Sequence, residues 1–91
     1  MNESQKKVSR AIRALCKKHA YETQFDFKLI ATDYHDMYGR RMALCEMGVV
    51  TICGGAIIDN WREFPTEVLR KLLENAKSNI NKRRLMTPSA K

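Results

Sequence analysis

From about Asn2 or Ser4 to Tyr21, apolar positions return in steps of three and four, at Val8, Ala11, Ile12, Leu15 and Cys16 or His19. That spacing predicts one buried face of a helix, with Ser4 placed to cap its first turn. Thr23 to Thr32 changes period. Phe25, Phe27, Leu29 and Ala31 fall on one side and Gln24, Asp26, Lys28 and Ile30 on the other, the alternation of a half-buried strand. Asp33 to Gly39 reads as a loop. Arg41 to Cys53 then predicts a long strand with a break near Gly48, in which Met42, Leu44, Val50 and Ile52 share a side. Cys53-Gly54-Gly55-Ala56 predicts a two-residue hairpin turn into Ala56 to Ile58. A second reading puts the turn at Glu46-Met47-Gly48 and makes Val49 to Ile58 one strand. Pro65 suits the first turn of a second helix, whose apolar face is Val68, Leu69, Leu72, Leu73, Ala76 and Ile80, ending about Asn81.

The order is helix, three strands, helix. Such a chain packs most simply as a two-layer α+β fold, α-β-β-β-α, with a three-stranded antiparallel meander and both helices on one face. With 91 residues there is room for one core. Residues 1–81 are expected to form a single basic domain and residues 82–91 a flexible basic tail, since Pro88 and its small neighbours break the periodicity.

Charge changes the picture more than composition does. The formal charge is +7, and by segment it is +5 for residues 1–21, −3 for 22–64 and +5 for 65–91. On the first helix Lys6, Arg10, Arg13 and Lys17 recur in steps of four, three and four, flanked by Lys7 and Lys18, with Glu3 the one acid near enough to pair, through Lys7. The second helix by contrast sets Glu67 before Lys71, Arg70 before Glu74 and Glu74 before Lys77. A stripe of one sign suits a polyanion, because each cation that meets a phosphate releases condensed counterions. Arg40 and Arg41 in the first strand loop, and Lys82, Arg83 and Arg84 in the tail, are the further candidate phosphate contacts.

The element order resembles that of the double-stranded RNA-binding domain. That family has a glycine-proline-histidine type loop between its first two strands and a lysine-rich opening to its last helix. Here those places hold Asp33-Tyr-His-Asp-Met-Tyr-Gly39 and Pro65-Thr-Glu-Val-Leu-Arg-Lys71. The resemblance is therefore one of element order, and no residue role is carried over from it.

Chemistry beyond binding has little to stand on. Cys16 and His19 lie one helical turn apart, but nothing in the sequence orients the histidine or supplies an oxyanion site. Asp33, His35 and Asp36 read as turn chemistry. Cys16, Cys45, Cys53 and His19 lack the tight spacing of a zinc knuckle, and an odd number of cysteines suits a reducing compartment. The expectation is a non-enzymatic nucleic-acid-binding protein, regulatory or accessory, cytoplasmic, with no cofactor, no metal and no membrane partner. A module that docks on an acidic protein surface is the alternative, and an exposed edge strand offers a route to a homodimer.

Overall fold

A computed structural model of the chain describes residues 2–86, with side chains through residue 82. The elements are α1 (Glu3–His19), β1 (Tyr21–Glu22), β2 (Lys28–His35), β3 (Arg41–Cys45), β4 (Gly48–Ile52), β5 (Ala56–Asp59), a 3-10 turn (Trp61–Glu63) and α2 (Thr66–Met86). The class is α+β, as expected, but the sheet has five antiparallel strands in sequence order rather than three.

Each difference has a local cause. Thr23 Oγ1 accepts the Phe25 amide, which bends the predicted first strand into a hairpin of Tyr21 and Glu22 with Leu29 and Lys28. Phe25 and Phe27 therefore leave the ladder and stack on each other, ring centroids 5.9 Å apart. The expected long strand is broken twice. Glu46 and Met47 turn the chain so that Leu44 pairs with Val49, and the three residues Cys53 to Gly55 turn it again so that Ile52 pairs with Ala56. The two alternative turns thus both form. Gly54 takes the left-handed φ of +75° that the second one needs. Gly48 is required for a different reason: a Cβ there would run into the Asp59 carbonyl on the neighbouring strand.

Both faces of the sheet are covered. Ile30, Met42, Leu44 and Val49 face the helices and join Val8, Ile12 and Cys16 of α1 and Leu69, Leu72, Ala76 and Ile80 of α2, with Trp61 closing the end of the core. On the second face Leu29, Ala43, Cys45 and Val50 are buried beneath Phe25 and Phe27. Ile30, expected on the polar side of its strand, is instead fully buried against the helices. Where β2 bulges between Ala31 and His35, the Thr32 hydroxyl donates to the Met42 carbonyl and fills the gap.

The helices lie together over one face, as expected, and their starts are tied by Gln5 Nε2, which donates to the Phe64 carbonyl at 2.7 Å. Asn2, not Ser4, caps α1: its side chain accepts from the Gln5 amide while Gln5 Oε1 accepts from the Asn2 amide, a reciprocal capping box. The second helix does not stop at Asn81. Lys82 to Met86 contains no helix breaker, its residues have good helical propensity, and cations are favoured near a helix C-terminus, so α2 continues to Met86. The expected tail is to that extent helical. Residues 87–91, and the side chains of Arg83 and Arg84, lie outside the described residues.

Candidate nucleic-acid interface

Helix α1 is placed by the side it buries. Val8, Ser9, Ile12 and Cys16 are its buried residues, and Ser9 satisfies its hydroxyl by donating to the Lys6 carbonyl. A turn takes 3.6 residues, so fixing this face inward turns Lys6, Arg10, Arg13 and Lys17 outward along one shoulder. Lys7 and Lys18 then form a second row, with Ala14 on the ridge between and Ala11 beyond that row. All six cations are exposed, as are both alanines. The small Ala14 side chain leaves a polyanion free to approach the middle of the helix closely.

The electrostatics of the face are uncompensated. Among the described residues there are two ion pairs, Arg40 with Asp36 and Lys82 with Asp33. Neither involves α1. The expected Glu3 to Lys7 pair is not formed, and neither are those expected along α2, where exposed Arg70, Lys71 and Lys77 share the surface with exposed Glu67 and Glu74.

The remaining candidates do not gather around α1. Arg40 is held in its own loop: its Nε donates to Asp36 Oδ2 at 2.8 Å, its guanidinium lies 5.0 Å from the centroid of the Tyr38 ring, and its amide donates to Asp36 Oδ1. Partial desolvation pushes the Asp36 carboxyl up, but the Arg40 amide and guanidinium and the Tyr38 amide together bring it below the ordinary carboxylate value. Arg41 is carried to the other side of the sheet. It shares parity with Ala43 and Cys45, and it lines an open cavity of about 240 Å³ with Tyr21, Phe25, Leu29 and Ile52. The pleat that sends Met42 toward the helices sends Arg41 away from them. Lys82 lies on α2, 3.5 Å from the Asp33 carboxylate.

The other chemistry-bearing side chains are dispersed. Cys16 is buried under α1 and Cys45 on the second face, whereas Cys53 is exposed in the β4 to β5 turn, all three as free thiols. Burial first, then the electrostatic influence of Cys45 and Glu46, pushes the Cys16 thiol up to about 12, which leaves it protonated and a poor nucleophile at neutral pH. No three His, Cys, Asp or Glu side chains among the described residues are grouped to hold a metal. Of the loop aromatics, Trp61 is core, Tyr34 packs against the core, and Tyr38 is exposed. Among the described residues no helix is long and apolar enough to cross a membrane. No protein-family model, curated protein or solved structure matches this chain.

Two features escaped the sequence reading. One is the reach of α2 through its basic end, for which the absence of a breaker before Pro88 was the available signal. The other is the separation of Arg41 from the helices, which depended on the strand register and hence on where the two turns fell.

Proposed function

We propose that this chain is a small nucleic-acid-binding protein, without enzymatic activity of its own, whose outer α1 face meets the phosphate backbone. The observation that supports this reading best is the set of six exposed α1 cations with no carboxylate within ion-pair distance among the described residues. A face left with that much unneutralised charge is favourable mainly when it meets an anion of matching length. α1 has 17 residues and so runs roughly 25 Å at 1.5 Å per residue, enough to span several successive phosphates of one strand. The basic last turns of α2 supply further attraction on the same molecule, in keeping with a regulatory or accessory role. A cytoplasmic setting agrees with three unpaired thiols.

Fluorescence anisotropy with duplex DNA, single-stranded DNA and duplex RNA over a series of salt concentrations tests the reading. Binding that weakens steeply with salt is expected for at least one of the three. The variant Lys6→Gln, Arg10→Gln, Arg13→Gln, Lys17→Gln should lose at least tenfold in affinity with its circular dichroism unchanged. If the variant binds as tightly as the parent, the interface is elsewhere. If the parent binds none of the three at low salt, the basic face belongs to an acidic protein surface instead.

A further inference from the structure

We propose that two copies of this chain pair edge to edge through β5, antiparallel, to form one continuous sheet. The two outer edges of the sheet are treated differently. Along β2, beyond the two residues that β1 covers, Asn75 Oδ1 accepts the Asp33 amide at 2.7 Å and Asn79 Nδ2 donates to the Ala31 carbonyl at 2.6 Å. Lys82 adds a charge over the same stretch. That edge is closed by α2. Strand β5 has no such cover: among the described residues no hydrogen bond other than its ladder with β4 reaches it. Of the usual means of blunting an edge it has shortness and one charge, Asp59, but no proline, lysine or bulge.

Three of its four side chains are apolar, and they point to both sides of the strand. Ile57 is 51% exposed and Ile58 37%, and alternation sends Ile57 to the helix side with Thr51 and Ile58 to the second face with Val50. A two-fold antiparallel pairing sets residues of equal parity opposite each other. Centred on Ile57, it places Ile57 against the partner's Ile57, Ala56 against the partner's Ile58, and Gly55 against the partner's Asp59. A large side chain then meets a small one on the second face, and no two like charges are opposed. The strand carries one charge, Asp59, and this pairing sets it across from the partner's Gly55, so β5 brings no like-charge repulsion between the two copies.

The symmetry axis of such a pair stands perpendicular to the sheet, so both helical layers lie on one side and two α1 faces look the same way. The pairing itself does not depend on what those faces bind. Four-residue strands cover less than the roughly 800 Å² per partner of a standard interface, which places the association in the weak, transient class.

Sedimentation velocity over roughly 5 to 500 µM, the range suited to an interface of that class, is expected to show a monomer passing to a dimer. Ile57→Lys should weaken association at least tenfold with no change in circular dichroism. Position 57 can also be locked, because opposed residues in an antiparallel pair lie about 4.5–5.5 Å apart, within disulfide reach. Under mild oxidation the double variant Cys53→Ser, Ile57→Cys should form covalent dimers rapidly, whereas Cys53→Ser, Met37→Cys, at a position more open to solvent in the β2 to β3 loop, should not. A monomer at every concentration, a dimer unaffected by Ile57→Lys, or equal crosslinking at positions 37 and 57 would each overturn the proposal.

Discussion

Cys16 shows how one side chain records the packing around it. Its thiol lies 2% exposed under α1, and burial, with Cys45 and Glu46 nearby, raises its pKa from 9.0 to about 12. The folded state therefore favours the protonated thiol. That contribution to stability is fully present below about pH 9 and is lost as the pH rises toward 12, because only the unfolded chain releases the proton easily. Urea denaturation at pH 7, 9 and 10.5 should show the parent losing stability faster than Cys16→Ala, whose lower stability at pH 7 reflects the cavity left behind. Equal slopes in the two proteins would mean that Cys16 is not buried as described. The sequence allowed a buried role for Cys16 through its position on the apolar face of the helix, but the shift also needs Cys45 and Glu46 on a neighbouring strand end, which helical spacing alone does not reveal.

Among the elements, the helices were far more legible than the strands, and the reason is range. A helix repeats its signal locally: Val8, Ile12 and Cys16 on α1, or Leu69, Leu72 and Ala76 on α2, mark a buried face without knowledge of any other element. A strand buried on both faces loses its alternation, so Ile30 and Leu29, both buried but on opposite sides, carry no periodic sign of which one meets the helices. The basic stripe of α1 carries its own energetic signature. Lys6, Arg10, Arg13 and Lys17 are like charges three and four residues apart, and each such pair is destabilising by roughly 0.2–0.5 kcal/mol. The fourfold glutamine variant is therefore expected to match the parent in stability or exceed it by up to about 1 kcal/mol, measured by thermal melts at low salt, and the gap should close as salt is added. A variant clearly less stable than the parent would show that these side chains support the fold through their stems, in which case its loss of affinity would no longer report on phosphate contacts alone.

Across the whole molecule, the sheet divides the basic residues into groups that sequence position had joined. Arg41 is one residue from Arg40 and was grouped with α1, yet it emerges on the face away from the helices, and Arg40 is held by Asp36 in its loop. A rigid duplex that lies along α1 cannot also reach Arg41 through the sheet. For duplex DNA, the logarithm of the binding constant falls with the logarithm of salt concentration with a slope of about −0.9 per phosphate neutralised, so the four stripe cations together supply roughly three to four units of slope. Removing them should flatten the dependence by about that amount. Arg41→Gln should leave slope and affinity within twofold of the parent, even though it removes the same formal charge as any one stripe substitution. This comparison separates a defined face from a general attraction of a +7 chain: if net charge alone drew the duplex, Arg41→Gln and Arg10→Gln would weaken binding equally. Unequal losses, with Arg10 the larger, require that the helix and not the total charge makes the contact.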